Sequence, residues 1–360
     1  MDSAMLLIPE TPDELTPEWL TEAMRAGGAI AQARVTAVES LPLGEGQGWR
    51  GQLRGLRLTY DAPQAGAPCS LVAKIGGIED MCEIGFYREV APRAALRTPR
   101  CYYAATDVEA KRYILLLEDL APARCGDRMV GCSPDEAACA VHEIARFHAA
   151  WWDRPLLTTL DWLPDIPERW DMVSQARAYP RMWAQFCERA AHVLPEAILD
   201  IGAAVGRHLV PLTDHLFQTP PRTIIHFDYQ LGNIFFDLPS GDALLAVIDW
   251  QLISRGRGVT DIAYLLGQNM SIEARRASEM DLLRTYHQAL LECGVRDYTF
   301  AQCLHDYRLY LVFALAAGVF TVILSDYTEE KKRAYVDTLV PREVTAILDH
   351  GIGVSMLKDL

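Results

Sequence analysis

One stretch constrains the fold of this chain more than any other. Residues 226–233 read His-Phe-Asp-Tyr-Gln-Leu-Gly-Asn, the apolar run Ile234-Phe235-Phe236 follows, and the chain returns after a turn with Ala246-Val247-Ile248-Asp249-Trp250. Asn233 stands five positions after Asp228, and Asp249 stands sixteen after Asn233. The apolar runs read as short buried strands flanking a Pro-Ser-Gly-Asp turn at 239–242. A short loop between Asp228 and Asn233 turns both side chains into one cleft, and Asp249 emerges at a strand end opposite Asn233. Two oxygen donors placed this way suit a hard cation such as Mg²⁺, with waters and phosphate oxygens completing its shell. A turn cap at Asp228 and a hairpin end at Asp249 would explain an isolated His-x-Asp, but not the whole set of spacings.

The bulk properties narrow the partners. At 360 residues the chain has room for two lobes with sizeable cores. Half of it is hydrophobic and 23% charged, an ordinary globular composition. A formal charge of −14, with no Lys/Arg run longer than the three residues 331–333, opposes binding to a nucleic-acid backbone. Met1 to Pro12 lacks the basic segment and long apolar core of a signal peptide. The most apolar stretch, Tyr310 to Leu324 with Gly318 inside it, is shorter than the roughly 20 residues needed to span a bilayer. It reads as a buried helix, so no membrane insertion is expected. Nine cysteines without a Cys-x-x-Cys pair imply reduced thiols and a cytoplasmic location. His142 and His148 are six apart on a predicted helix, the wrong interval for two ligands on one face, and read as core or polar-rim residues.

Along the chain, Thr16 to Gly28 predicts a helix with Thr16 as N-cap and Pro17 at the first position. Strands follow at Ala33 to Leu41, Gly51 to Tyr60 and Cys69 to Ile75. A single amphipathic helix from Asp80 to Leu96 comes next, then strands at Cys101 to Ala105 and Tyr113 to Glu118. From Pro134 onward the pattern is helical, over 134–153, 180–193, 196–217, 260–269, 273–293, 299–325 and 329–350. Only the hairpin carrying Asn233 and Asp249 interrupts it. The reading is an α+β, bilobal, protein-kinase-like fold, with a small β-rich nucleotide-binding lobe over 1–120 and a larger, mostly helical catalytic and acceptor-binding lobe over 121–360. Residues 121–133, with Arg124, Asp127 and Arg128, form the loop leaving the hinge, where substrate contact and a plain solvated connection are both open.

The first lobe offers a nucleotide side. Gly44, Gly46 and Gly48 lie between two strands, where backbone N–H groups can approach phosphates or simply close a tight turn. Lys74 ends the apolar strand Ser70-Leu71-Val72-Ala73 about thirty residues on, where a lysine neutralises phosphate oxygens. Its partner on the following helix is Glu83, with Glu89 in reserve. The strand Tyr113 to Leu120 offers main-chain groups around Glu118 and Leu120 to an adenine edge.

These residues resemble the aminoglycoside phosphotransferase and choline kinase superfamily, and within it the ecdysteroid-kinase-like branch of small-molecule phosphotransferases. The resemblance covers nearly the whole chain. It rests on the glycine loop, Leu71-Val72-Ala73-Lys74, residues 83–89, Leu115 to Leu120, His148 to Trp152, the 226–233 segment, Ile248-Asp249-Trp250-Gln251, and Gly258 with Asp261 to Leu266. It implies a phosphotransferase that uses ATP and Mg²⁺. In it Asp228 is the catalytic base, Asn233 and Asp249 are metal ligands, and Asp261 is a buried carboxylate bracing the catalytic loop. Phe227 departs from the family's usual Gly between His and Asp. Trp250-Gln251 after Asp249, and Asp261 only twelve residues on, leave no room for a protein kinase's activation segment. The acceptor is then a small-molecule hydroxyl. Trp151, Trp152, Trp162, Trp170 and Trp183 suggest a flat or lipophilic alcohol. The rival readings are an O-phosphotransferase for an aminoglycoside or macrolide, and a catalytically silent binding protein.

Overall fold

The computed structural model describes residues 6–43, 52–77, 81–239, 241 and 243–358. The chain packs as two units, one of residues 1–123 with 246–251, the other of 124–245 with 252–360. The division expected after residue 120 falls after residue 123, and the segment carrying Asp249 packs with the first unit.

In the first unit, α1 (Pro17–Ala26) starts where the Thr16 hydroxyl accepts the Trp19 N–H at 3.2 Å. Five strands follow: β1 (Val35–Pro42), β2 (Gln52–Tyr60), β3 (Ser70–Gly77), β4 (Cys101–Asp107) and β5 (Arg112–Glu118). They form one antiparallel sheet in the order β1-β2-β3-β5-β4. Strand alternation puts Leu71, Ala73 and Ile75 of β3 into a core with Leu20, Ala23 and Met24 of α1. Lys74, between them in sequence, therefore points to the other face.

The helix expected over 80–96 is not one regular element. Its α-helical part, α2, spans only Cys82–Gly85; Phe86–Val90 is π-helical and Ala91–Arg93 is a 3₁₀ turn. Pro92 sits at the start of that last turn, where its ring and missing N–H prevent a longer helix.

The second unit begins with β6 (Arg124–Cys125) and α3 (Pro134–Trp151), the latter opened by a reciprocal Ser133–Glu136 capping box. Then come α4 (Ile166–Arg169), α5 (Met172–Ala190), α6 (Glu196–Phe217), β7 (Thr223–Ile225) and β8 (Ile234–Phe236). After β9 (Leu245–Val247) and β10 (Ser254–Gly256) the rest is helical: α7 (Val259–Asn269), α8 (Ile272–Glu292), α9 (Phe300–Leu324), α10 (Glu329–Asp349) and α11 (Val354–Leu357). α5 starts eight residues before the expected 180, because Pro180 lies on an exposed face inside the helix rather than at its start. α9 is long and apolar enough to cross a membrane by length and composition, yet 67% of its most apolar window is buried inside the protein. Antiparallel pairing of β7 with β10 and of β6 with β8 fixes both ends of the 226–233 loop.

Candidate active site

In the first unit the lysine expected to meet phosphates is buried between two acids. Lys74 Nζ lies 2.6 Å from Glu83 Oε2 and 2.7 Å from Asp249 Oδ1. The three residues are only 4%, 1% and 7% exposed, respectively. Glu83 is the partner chosen over Glu89, which is exposed. The second Glu83 oxygen accepts the Trp250 N–H at 3.3 Å, so one carboxylate ties β3 to the segment after β9. The Trp250 indole stacks on Phe86 with ring centroids 3.9 Å apart and planes within 8°. Glu83 in α2 and Phe86 at the start of the π-helical turn thus meet the same residue, Trp250.

The charges are interdependent. Burial works against the Lys74 ammonium, but Glu83 and Asp249 outweigh it and hold its pKa well above the ordinary value. Burial raises the Glu83 carboxyl, with Asp249 adding to the effect and Lys74 opposing it. Removing either partner of such a set leaves a charge stranded in a dry site. Gly76 lets Tyr113 close over the strand beside Lys74: a Cβ on it would lie 2.4 Å from the Tyr113 ring. Gly44, Gly46 and Gly48 lie outside the described residues. Glu118 is turned to structure, since both its carboxylate oxygens lie 2.7 Å from Arg97 Nη2 and its N–H donates to the Arg100 carbonyl at 2.8 Å. The Leu120 carbonyl accepts the Ala123 N–H at 2.9 Å, closing the turn that leaves the strand.

In the second unit the 226–233 loop is held from below by Asp261. Its Oδ2 accepts the His226 N–H at 2.7 Å and its Oδ1 the Phe227 N–H at 2.9 Å. His148 Nε2 lies 3.2 Å from the same carboxylate, and His148 Nδ1 lies 3.1 Å from the Tyr286 hydroxyl. Sequence reading took His148 for a core or rim residue and missed this role; the signal lay in pairing it with Asp261, 113 residues away. Asn269 Oδ1 accepts the Leu231 N–H at 3.0 Å, and Gln230 Oε1 accepts the Gly232 N–H at 3.0 Å. These bonds hold the loop's backbone at both its ends.

Asp228 and Asn233 meet on that loop. The Asn233 amide donates to the Asp228 carbonyl at 2.9 Å and to its Oδ2 at 3.0 Å. This use of the nitrogen leaves the Asn233 carbonyl oxygen as the atom suited to a cation. Phe227 has a φ of 68° and packs against Trp170, Phe217 and Phe313 with centroids 5.3, 5.6 and 6.2 Å away. Trp151 and Trp183 are buried in the core. Burial raises the Tyr264 phenol, with the Asp228 charge adding to it; burial, then Asp261 and Asp228, do the same to Tyr310.

A model of the phosphotransferase enzyme family matches residues 81–303. The chain belongs to this family. It is also 29% identical over 103 residues to an uncharacterized kinase-like protein of Caenorhabditis elegans, a match spanning 28% of this chain and 27% of that protein. Among solved structures, the chain resembles an ethanolamine kinase of Plasmodium vivax with a TM-score of 0.54 at 11% identity, covering 88% of this chain and 83% of that one. It also resembles an aminoglycoside 2'-phosphotransferase-IIIa in its GDP complex, with a TM-score of 0.54 at 13% identity over 91% and 98% of the two chains. At such identities the likeness shows the fold, which is the bilobal one expected. For this phosphotransferase-family member the site chemistry rests on its own residues. Among the described residues no cluster of three or more His, Cys, Asp or Glu forms a metal cage.

Proposed function

We propose that this chain is an ATP-dependent phosphotransferase acting on the hydroxyl of a small molecule in the cytoplasm, and that it belongs to the ecdysteroid-kinase-like branch of its family. The observation that carries the reading is Lys74, buried and charged between Glu83 and Asp249. A binding protein has no need to keep an ammonium and two acids in a dry site, a costly arrangement that phosphoryl transfer uses.

In this reading Lys74 and the 44–48 loop hold the phosphates, main chain near Glu118 and Leu120 takes the nucleotide base, and Asn233 and Asp249 hold magnesium. The bound Mg²⁺ would neutralise charge on the phosphate oxygens. Asp228 orients the acceptor hydroxyl and takes its proton as that oxygen bonds to the γ-phosphorus. The bond from that phosphorus to the bridging oxygen breaks, and ADP leaves. Asp261 and His148 keep the loop in register so that the acceptor oxygen stays in line.

The test is nucleotide turnover with ATP or GTP, with and without Mg²⁺, over a panel of alcohols, amino alcohols, sugars, aminoglycosides and macrolides. ATP- and Mg²⁺-dependent mass gain of one phosphate on a non-antibiotic alcohol supports the reading. Transfer only to an antibiotic selects the resistance reading, and nucleotide binding without transfer to any acceptor selects the silent binding protein.

A further inference from the structure

Two helices of the second unit, α5 and α6, do not close completely on one another. Trp183 packs on Gly202 and Tyr179 on Gly206, where an added Cβ would lie only 2.2 and 2.9 Å from the rings. A step forward along α5 thus matches a step backward along α6, so the two helices run antiparallel. Beside this close approach they leave a groove of about 580 Å³. Val173, Pro180 and Trp183 line it from α5, and Ala203, Gly206 and Val210 from α6. The glycine and alanine have no long side chain to fill it, and neither has Pro180, which sits on an exposed face of α5.

Two charges stand in these otherwise apolar walls. Arg177 of α5 and Arg207 of α6 both line the groove, and the register of the two ring contacts sets them at one level of the helix pair. Both are exposed, and neither makes an ion pair with a described residue. No acid lines the groove. Asp171, at the start of α5, is spent on its own helix: Oδ1 accepts the Ser174 N–H at 3.0 Å and Oδ2 the Ser174 hydroxyl at 2.5 Å. In a chain of formal charge −14, two uncompensated cations at one apolar slot invite an anion.

The size of the slot decides what kind of anion. A protein partner needs about 800 Å² on each side, whereas 580 Å³ falls among the roughly 300–1,000 Å³ of small-molecule sites. Apolar walls favour an alkyl or aryl body, and guanidinium forks favour a carboxylate over an amide or an ammonium. We propose that the groove between α5 and α6 is a binding site for a small apolar carboxylate, its body along Pro180, Trp183 and Ala203 and its charged end between Arg177 and Arg207. None of the residues that the phosphotransferase reading uses lies in the groove, so the two stand or fall separately.

The test titrates 6-phenylhexanoate, 6-phenylhexanamide and 6-phenylhexylammonium calorimetrically into the full chain. The acid should bind most tightly and the ammonium least. Arg177→Gln combined with Arg207→Gln should weaken the acid about 3- to 30-fold, the effect of two solvent-accessible ion pairs, while leaving the amide nearly unchanged. Both side chains are exposed, so this double variant should melt like the parent. Ala203→Trp fills the slot from an exposed helix position and should abolish binding of acid and amide alike. Parental affinity in Ala203→Trp, an acid no tighter than the ammonium, absent acid binding, or equal loss of all three probes in the double variant overturns the proposal. Sedimentation that finds a dimer for the parent and a monomer for Ala203→Trp also overturns it, by giving the groove to a second copy of the chain.

Discussion

At the scale of single residues, Phe227 shows how a family rule and its exception share one cause. Relatives of this type place Gly between the loop's His and Asp, and the φ of 68° found here is the left-handed conformation that Gly adopts without cost. A bulky residue there carries strain of about 1–3 kcal/mol. Packing against Trp170, Phe217 and Phe313 offsets it. The departure was legible in the sequence; the dihedral was not, because the loop's path depends on Asp261 accepting the consecutive N–H groups of His226 and Phe227. Phe227→Gly should therefore lower the melting temperature by only a few degrees, the lost aromatic packing exceeding the relieved strain. A drop comparable to that of a core Phe→Ala change, or a rise, would show that one of the two terms has been misjudged. Asp228→Asn keeps the bond from the Asn233 amide but loses the proton acceptor. Turnover should fall roughly 10²-fold or more with nucleotide affinity nearly unchanged, measured by coupled assay and calorimetry. Near-parental turnover in a folded variant removes Asp228 from the chemistry.

At the scale of elements, the sequence was most readable where hydrophobic periodicity is long. The helices expected at 196–217, 273–293, 299–325 and 329–350 appear within a residue or so at each end. It was least readable where a tertiary partner decides the winding. Nothing in residues 80–96 announces a π turn, because that turn is set by Phe86 reaching Trp250, a residue 164 positions later. Pro180 misled for the converse reason: proline is favoured at a helix start, yet an exposed face of α5 accommodates it mid-helix. β3 carries its own test. Gly76→Ala places a methyl against the buried Tyr113 ring, 2.4 Å from its nearest atom, so that strand or ring must shift. Overpacking of this kind costs about 1–3 kcal/mol. Denaturant unfolding should show that loss together with weaker nucleotide binding, as Lys74 lies two residues away; unchanged stability would mean that the strand relaxes freely.

At the scale of the whole molecule, acidity is distributed unevenly between surface and interior. The formal net charge of −14 counts every carboxyl as ionised, whereas Glu343 is a carboxyl kept inside. Its folded pKa of about 8 stands above the ordinary 4.5, so between those values the folded chain holds a proton that the unfolded chain has released. Stability must fall as pH rises through that window, the loss being complete above the folded pKa. Glu343→Gln removes the dependence: its melting temperature should exceed the parent's at pH 8–9, with the gap narrowing toward pH 5, and parallel curves would refute the burial effect. The partition of the chain has a different consequence, one of timing. Residues 246–251 pack with the first 123, bringing Asp249 to Lys74 and Trp250 to Phe86. A ribosome that has delivered the five-stranded sheet has therefore not yet delivered all of its unit, and more than a hundred residues of the other unit must emerge before Lys74 meets its second acid. The N-terminal unit is finished from the middle of the chain, so it cannot mature before its neighbour has begun to form.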